Sequence, residues 1–383
     1  MKVSLLGVEF NSPNRGCGAL AYSICQILRK MSREKKENLS VVAVLFDVTP
    51  IPEGILDDVK IKYIKNQPKK LSFWKLCYKE FKSSDVVLDF SMGDSFADIY
   101  GKKRFLLASM LKKLAMMSGT KFVMAPQTIG PFSNKMMSRV AKHILKKCDL
   151  CFVRDSLSEE YTYKLCGRRP LLTTDVAFEL SYKKDAFERS DKRRIGFNPS
   201  GLLWTGTKDF VASKHLIVDY REYVRRVFEV WSQEEVELYL IPHVFTQNGG
   251  GMEDDLRACK EIQEMFPKTK IVSEYATPMD AKGFIATLDV FVGARMHATV
   301  GAFSSGVATI PFSYSRKFEG LFYDLEYPYL VEATTINTEE AVERTLQWVK
   351  EYVKLRDQVV VSTKLLSKKQ VVFYDSLFDV IKD

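Results

Sequence analysis

Arg295 and His297 stand two residues apart in the run Val290-Phe291-Val292-Gly293-Ala294-Arg295-Met296-His297-Ala298. An arginine offers a planar fork that grips a carboxylate or phosphate through paired hydrogen bonds. A histidine has an ordinary pKa close enough to neutrality to give and take a proton. Placed at the end of an apolar run, the pair predicts a site that holds a small anion and supplies a proton. Tyr314 and Lys317 follow the next apolar run, Val307 to Phe312. Lys317 could meet the same anion or simply face solvent. A structural ion pair for Arg295 is the plain alternative.

Other polar residues also follow apolar runs. Asp94 comes after Val86–Phe90, Gln127 after Phe122–Ala125, Arg154 and Asp155 after Cys151–Val153, and Asp175 after Leu171–Thr174. Further on, Asn198 and His243 hold the same kind of position. Asp94 reads either as a turn carboxylate or as a general base or hydroxyl-binding group. A lone buried arginine is costly, so Arg154 is expected to bind an anion or acceptor, with Asp155 capping the next helix. His243 divides evenly between a structural residue and a catalyst. The segment Asn14-Arg15-Gly16-Cys17-Gly18-Ala19 contains G-x-G-x-x-A. A dinucleotide fingerprint should follow its strand directly, yet Glu9 to Pro13 intervene here. The expectation is a glycine loop capping the first helix, structural or touching substrate through its amides.

Elements of alternating type must position these residues. Strand-like runs (Val3–Val8, Val41–Phe46, Val86–Phe90, Phe122–Ala125, Cys151–Val153, Leu171–Thr174) alternate with helix-like stretches near Ala19–Met31, Phe105–Met117, Met136–Lys147 and Ser156–Leu165. Such alternation predicts a parallel sheet covered on both faces. Residues 184–194 are highly charged and lose the apolar period, which marks a linker. The alternation restarts at Ile195. The fold expected is α/β, with two Rossmann-like domains, 1–183 and 195–360, whose parallel sheets face each other across a cleft. A terminal helix, 361–383, is placed to cross back to the first domain. Strand C-terminal ends are where open α/β sheets bind ligands, so the named residues line the two mouths.

Bulk properties exclude several classes. At 383 residues, 46% hydrophobic and 27% charged, this is an ordinary globular composition. No apolar run approaches the ~20 residues of a membrane span, and the N-terminus does not read as a signal peptide. A cytoplasmic protein is expected, with the inner face of the membrane as one place for it to work. Seven cysteines without paired spacing argue against a disulfide framework or a zinc site. Cys148 and Cys151 form a C-x-x-C that reads as structural. The net charge of +9 calls for a partner or a surface. The lysines read as scattered, without an aromatic-basic module, so nucleic acid is not expected. An anionic membrane face, a phosphorylated lipid-linked substrate or plain solvation fits better.

The same residues carry a family likeness. Asn14-x-Gly16-x-x-Ala19-Leu20, Gly93-Asp94, Pro126-Gln127-Thr128-Ile129-Gly130-Pro131, Val153-Arg154-Asp155-Ser156, Thr174-Asp175-Val176-Ala177-Phe178 and Gly293-Ala294-Arg295-Met296-His297-Ala298, then Pro311, Tyr314 and Lys317, occur in this order. The chain thus resembles the polysaccharide pyruvyl transferases, which move pyruvate from phosphoenolpyruvate onto sugars as a ketal. The resemblance implies a fold similar to GT-B glycosyltransferases, with the donor held mainly by the C-terminal domain. It implies that Arg295 and His297 bind phosphoenolpyruvate and that Arg154 assists from across the cleft. It points to Asn14, Gln127, Tyr314 and Lys317 as further binding residues. Arginines and a lysine suit this donor without a metal or other cofactor. His297 is the proposed acid, and Asp94 or His243 the base. Ser91-Met92-Gly93-Asp94 departs from the glycine run common in the family, which unsettles the acceptor contacts there. A lipid-linked glycan is the expected acceptor. The rival readings are a nucleotide-sugar glycosyltransferase on the same architecture and a non-catalytic carbohydrate-binding protein.

Overall fold

A computed structural model of the protein describes residues 1–185, 191–206, 215–246 and 253–382. The middle of the expected linker, residues 186–190, lies outside the described residues. The chain divides into two compact units. Unit 1 comprises Met1–Ser12, Cys17–Leu180 and Leu366–Asp383; unit 2 comprises Pro13–Gly16 and Ser181–Leu365. Both are α/β, each with a fully parallel sheet. Pro13–Gly16 clusters with unit 2, although the reading from sequence placed it in the first domain.

Unit 1 holds seven strands in the order β3-β2-β1-β4-β5-β6-β7. These are β1 (Lys2–Leu6), β2 (Ser40–Leu45), β3 (Lys60–Lys65), β4 (Val86–Asp89), β5 (Lys121–Met124), β6 (Leu150–Val153) and β7 (Leu171–Leu172). The central strands are apolar and buried after their first residues, as both faces of a parallel sheet require. Helix α1 (Arg15–Glu34) joins β1 to β2. Helices α2 (Leu71–Lys82), α3 (Lys102–Met117), α4 (Lys135–Lys147) and α5 (Ser156–Cys166) pack side by side. The order reverses at β1, which pairs β2 on one side and β4 on the other. At that switch point Gly7 takes φ +63°, and a Cβ there would lie 2.3 Å from the Ser91 amide nitrogen. Only glycine fits so close a backbone approach.

Unit 2 repeats the plan with six strands in the order β10-β9-β8-β11-β12-β13. They are β8 (Arg193–Asn198), β9 (Val236–Leu240), β10 (Lys270–Ile271), β11 (Val290–Gly293), β12 (Ala308–Ser313) and β13 (Val331–Glu332). Its helices are α6 (Gly201–Thr205), α7 (Tyr220–Trp231), α8 (Asp255–Met265), α9 (Pro278–Ile285), α10 (Met296–Ser304), α11 (Arg316–Tyr323) and α12 (Thr338–Lys350), before the long α13 (Tyr352–Lys382). The core beneath α7 stacks Phe197, Phe228 and Trp231 edge to face, at 5.2 and 6.4 Å from Phe197. Here the strand order reverses at β8, which pairs β9 on one side and β11 on the other, with Asn198 opposite Gly293. Among the described residues no helix is long and apolar enough to cross a membrane.

Candidate functional site

In unit 2 the sheet's switch point and the Arg295/His297 pair coincide. Ligands gather at such points because the loops from adjacent strands part to opposite sides and leave a crevice. Asn198, the last residue of β8, closes the back of it. Its Oδ1 accepts from the Arg295 amide at 2.9 Å, and its Nδ2 donates to the Ile241 carbonyl at 2.8 Å. Arg295 thus sits at the N-cap of α10, with His297 in the first turn, where the helix's leading amides favour an anion.

The Arg295 side chain is only 12% exposed, and a carboxylate unnamed in the sequence reading fixes it. Asp255, fully buried at the start of α8, accepts from Arg295 Nε at 3.0 Å and from Nη2 at 2.7 Å. Nη2 also donates to the Glu253 carbonyl at 2.8 Å, while among the described residues Nη1 makes no hydrogen bond. Asp255 further accepts from the amides of Gly201 (2.8 Å), His243 (3.1 Å) and Val244 (2.9 Å). One carboxylate therefore locks three loops and the arginine together. Burial alone would lower the Arg295 pKa, but Asp255 and Tyr314 outweigh it and leave the guanidinium more firmly charged than usual. The sequence did hold a signal for Asp255. Asp254 caps α8 through the Leu256 amide at 2.9 Å, so the second acid of the pair is left facing inward.

His243 is 4% exposed, and among the described residues neither ring nitrogen has a hydrogen-bond partner. Burial, then the positive charges of His297, Arg15 and Arg295, push its pKa down to about 3. The imidazole is neutral at ordinary pH. Burial is the larger cause, and the neighbouring His297, Arg15 and Arg295 add to it in the sense an anion site would have.

The segment Pro13–Gly16 completes the site. Asn14 bridges to Val244, the Arg15 amide donates to the His243 carbonyl at 3.0 Å, and the Phe245 amide donates to Pro13 at 2.9 Å. The Asn14 Oδ1 accepts from the Gly16 amide at 2.9 Å, which fixes the turn. The Arg15 guanidinium lies 5.3 Å from the Phe245 ring centre and donates to the carbonyls of Tyr275 and Ala276. Gly16 lies flat on His297: a Cβ there would come within 2.2 Å of Nδ1. The glycine loop is thus a wall of the histidine's pocket. Arg15 and Asp255 are the two residues that sequence reasoning missed.

Tyr314, half-buried just beyond β12, is near enough to Arg295 to influence its charge. Lys317 lies half-buried in the first turn of α11.

The unit 1 candidates divide. Asp94 is half-buried beside that sheet's own switch point and accepts from the Tyr100 hydroxyl at 2.8 Å. The structure gives Arg154 and Gln127 partners of their own. Arg154 is not a lone buried arginine: it is 1% exposed, with Nη1 donating to Asp175 at 2.5 Å and Nε to Thr128 at 2.9 Å. Its partner comes from the next strand end, which spacing along the chain does not reveal. Gln127 is fully buried, and its Nε2 donates to the carbonyls of Asp89 (2.7 Å) and Ala125 (3.0 Å), so its amide ties strand ends together. Asp155 caps α5 at the Ser158 amide, 2.7 Å. Cys148 ends α4 while Cys151 lies in β6, and both are buried free thiols. Among the described residues no cluster of three or more His, Cys, Asp or Glu is arranged to hold a metal ion.

Comparison with known proteins fits this geometry. The sequence profile of one family, described as polysaccharide pyruvyl transferase, matches residues 14–316. The chain belongs to the polysaccharide pyruvyl transferase family. The match begins at Asn14 and runs through Arg295 and His297 to the start of α11. No curated protein matches the chain in sequence. Among solved structures it is similar to a glycosyltransferase from Rickettsia africae (10% identity, TM-score 0.59, covering 98% of both chains). It is also similar to the Anabaena protein HepE solved with UDP (10%, 0.57, 100% of both). A third is a putative UDP-N-acetylglucosamine 2-epimerase from Listeria monocytogenes (14%, 0.57, 94% of this chain and 90% of that one). At such identities the likeness shows the fold alone, a GT-B-like pair of α/β domains. A pyruvyl transferase family member on this fold is an enzyme of polysaccharide biosynthesis.

Proposed function

We propose that the protein transfers pyruvate from phosphoenolpyruvate to two hydroxyls of a sugar, forming a ketal on a surface polysaccharide or its lipid-linked precursor. The observation that carries this reading is the gathering of Arg295, His297 and Arg15 around the buried His243 at the start of α10. Arg295, rigidly held by Asp255, offers Nη1 to a carboxylate or phosphate, and the α10 N-terminus and Arg15 add to the field. The donor carries up to three negative charges, and cations with helix amides match it electrostatically.

In the proposed reaction His297 protonates the methylene carbon of phosphoenolpyruvate, leaving an oxocarbenium-like centre at C2. One sugar hydroxyl adds there and gives up its proton. Phosphate leaves with the bridging oxygen, and a second hydroxyl closes the ketal. Of the two hydroxyl protons, one replaces that supplied by His297 and the other leaves with hydrogen phosphate. Asp94 is the proposed base for the hydroxyls. His243, with a pKa near 3, is a poor base, and we assign it instead as a neutral hydrogen-bond partner for the bound anion.

The test is phosphate release from phosphoenolpyruvate on adding galactose- or mannose-type glycolipid acceptors, beside a ligand-stabilisation screen. Stabilisation by phosphoenolpyruvate and turnover that His297→Ala abolishes while binding persists would support the proposal. Stabilisation by UDP-sugars alone would favour the rival nucleotide-sugar glycosyltransferase, a reading suggested by the UDP-bound relative in fold.

A further inference from the structure

The longest acid-free stretch of this chain is also its most basic. Between Asp98 and Asp149 the chain holds nine Lys and two Arg and no Asp or Glu. The remaining 46 Lys and Arg (57 less 11) face 48 Asp and Glu, so the rest of the chain sums close to neutral, although residues 60–82 hold eight Lys against one Glu. The lysines are therefore not scattered. The stretch folds into the neighbouring helices α3 and α4 of unit 1. Lys112 is buried against Asp89 at 2.9 Å and serves the interior. Lys102, Lys103, Arg104 and Lys113 on α3, and Lys135, Arg139, Lys142, Lys146 and Lys147 on α4, are exposed. None of these nine is ion-paired among the described residues.

The same surface carries large apolar side chains that nothing in unit 1 covers. Met110 and Met117, one heptad apart on α3, are 49% and 73% exposed, and Met136 at the start of α4 is 52% exposed. Helical spacing puts Met110 and Met117 on one stripe with Lys103 and Lys113. A merely solvated basic face has no use for methionines at these positions, and a phosphodiester backbone asks for charge alone. Cations interleaved with flexible apolar side chains match a surface that is anionic outside and apolar just beneath.

We propose that the α3/α4 face docks unit 1 onto an anionic lipid bilayer, with the lysines and arginines on the headgroups and the methionines entering the acyl boundary. This assignment is independent of the reaction proposed above, since it uses none of that reaction's residues. It stands if the protein proves to transfer something else.

The test is co-sedimentation of the full chain with vesicles of phosphatidylcholine alone or with phosphatidylglycerol added. Binding is expected only with the anionic lipid, and it should fall steeply with salt. Each surface cation contributes roughly a fivefold gain in partitioning. The variant Lys135→Glu/Arg139→Glu/Lys142→Glu/Lys146→Glu should therefore weaken binding at least about a hundredfold. Met110→Ser/Met117→Ser should weaken it about tenfold or more while leaving the salt dependence unchanged. Both variants alter exposed positions and should keep the parent's unfolding temperature and its turnover of a soluble acceptor. Equal binding to neutral vesicles, undiminished binding by the charge-reversed variant, or binding to single-stranded RNA in place of vesicles would overturn the proposal.

Discussion

Asp255→Asn isolates the device on which the candidate site rests. The substitution keeps shape and removes one charge. The amide oxygen of Asn can still accept from the His243 and Val244 amides, but its NH2 then meets the Arg295 guanidinium donor to donor. With Arg295 12% exposed, the cation is left buried and unpaired. Removing one partner of a buried pair costs about 3–5 kcal/mol. In a unit of this size that lowers the unfolding temperature by about 6–20 °C. Tryptophan fluorescence reads it directly, because Trp204, Trp231 and Trp348 lie in unit 2 and only Trp74 in unit 1. The double variant Asp255→Asn/Arg295→Met removes the stranded charge and should recover at least about 1.5 kcal/mol. If Asp255→Asn shifts the transition by less than about 2 °C, or if the two substitutions simply add, Asp255 is not the clamp described here.

Three further outcomes follow from the geometry. Gly16→Ala places a methyl 2.2 Å from His297 Nδ1 and should displace the ring, cutting turnover severely while costing about 1–3 kcal/mol of stability; unchanged kinetics would show that His297 can move freely. His243 has a folded pKa near 3 against 6.5 unfolded, so the unfolded chain binds the extra proton and stability is lost as pH falls from about 6.5 towards 3, by up to about 1.4 kcal/mol per pH unit. His243→Gln should flatten that slope in denaturant titrations, and phosphoenolpyruvate should raise the His243 pKa seen by NMR. Arg154→Ala should lower stability by about 3–5 kcal/mol by stranding Asp175, visible as a lower midpoint of chemical unfolding. A rise in KM at undiminished stability would instead place Arg154 among the binding residues.

Alternation of apolar runs and amphipathic stretches was enough to read two parallel-sheet units, because buried parallel strands are apolar on both faces. The same logic missed β3, where K-I-K-Y-I-K alternates lysine with apolar residues in an edge strand. It also could not give the strand order, which depends on pairings between distant segments. For the site, Arg295, His297 and His243 were visible from residue type and position. Asp255 was hidden because a double acid at a helix start looks like capping, and only the fold shows which carboxylate turns inward. The partner of Arg154 was hidden for a related reason: burial was inferred correctly, but Asp175 lies twenty-one positions on, across a strand pair.

Residues 13–16 have a consequence for how this architecture can be recombined. Grafting a new C-terminal half at the linker would deliver a module without Arg15, Gly16 and the Asn14 bridge to Val244, all supplied by the first few residues of the chain. The halves are not interchangeable cassettes. A hybrid that keeps a working second half must inherit its opening segment, Pro13–Gly16, from the same parent.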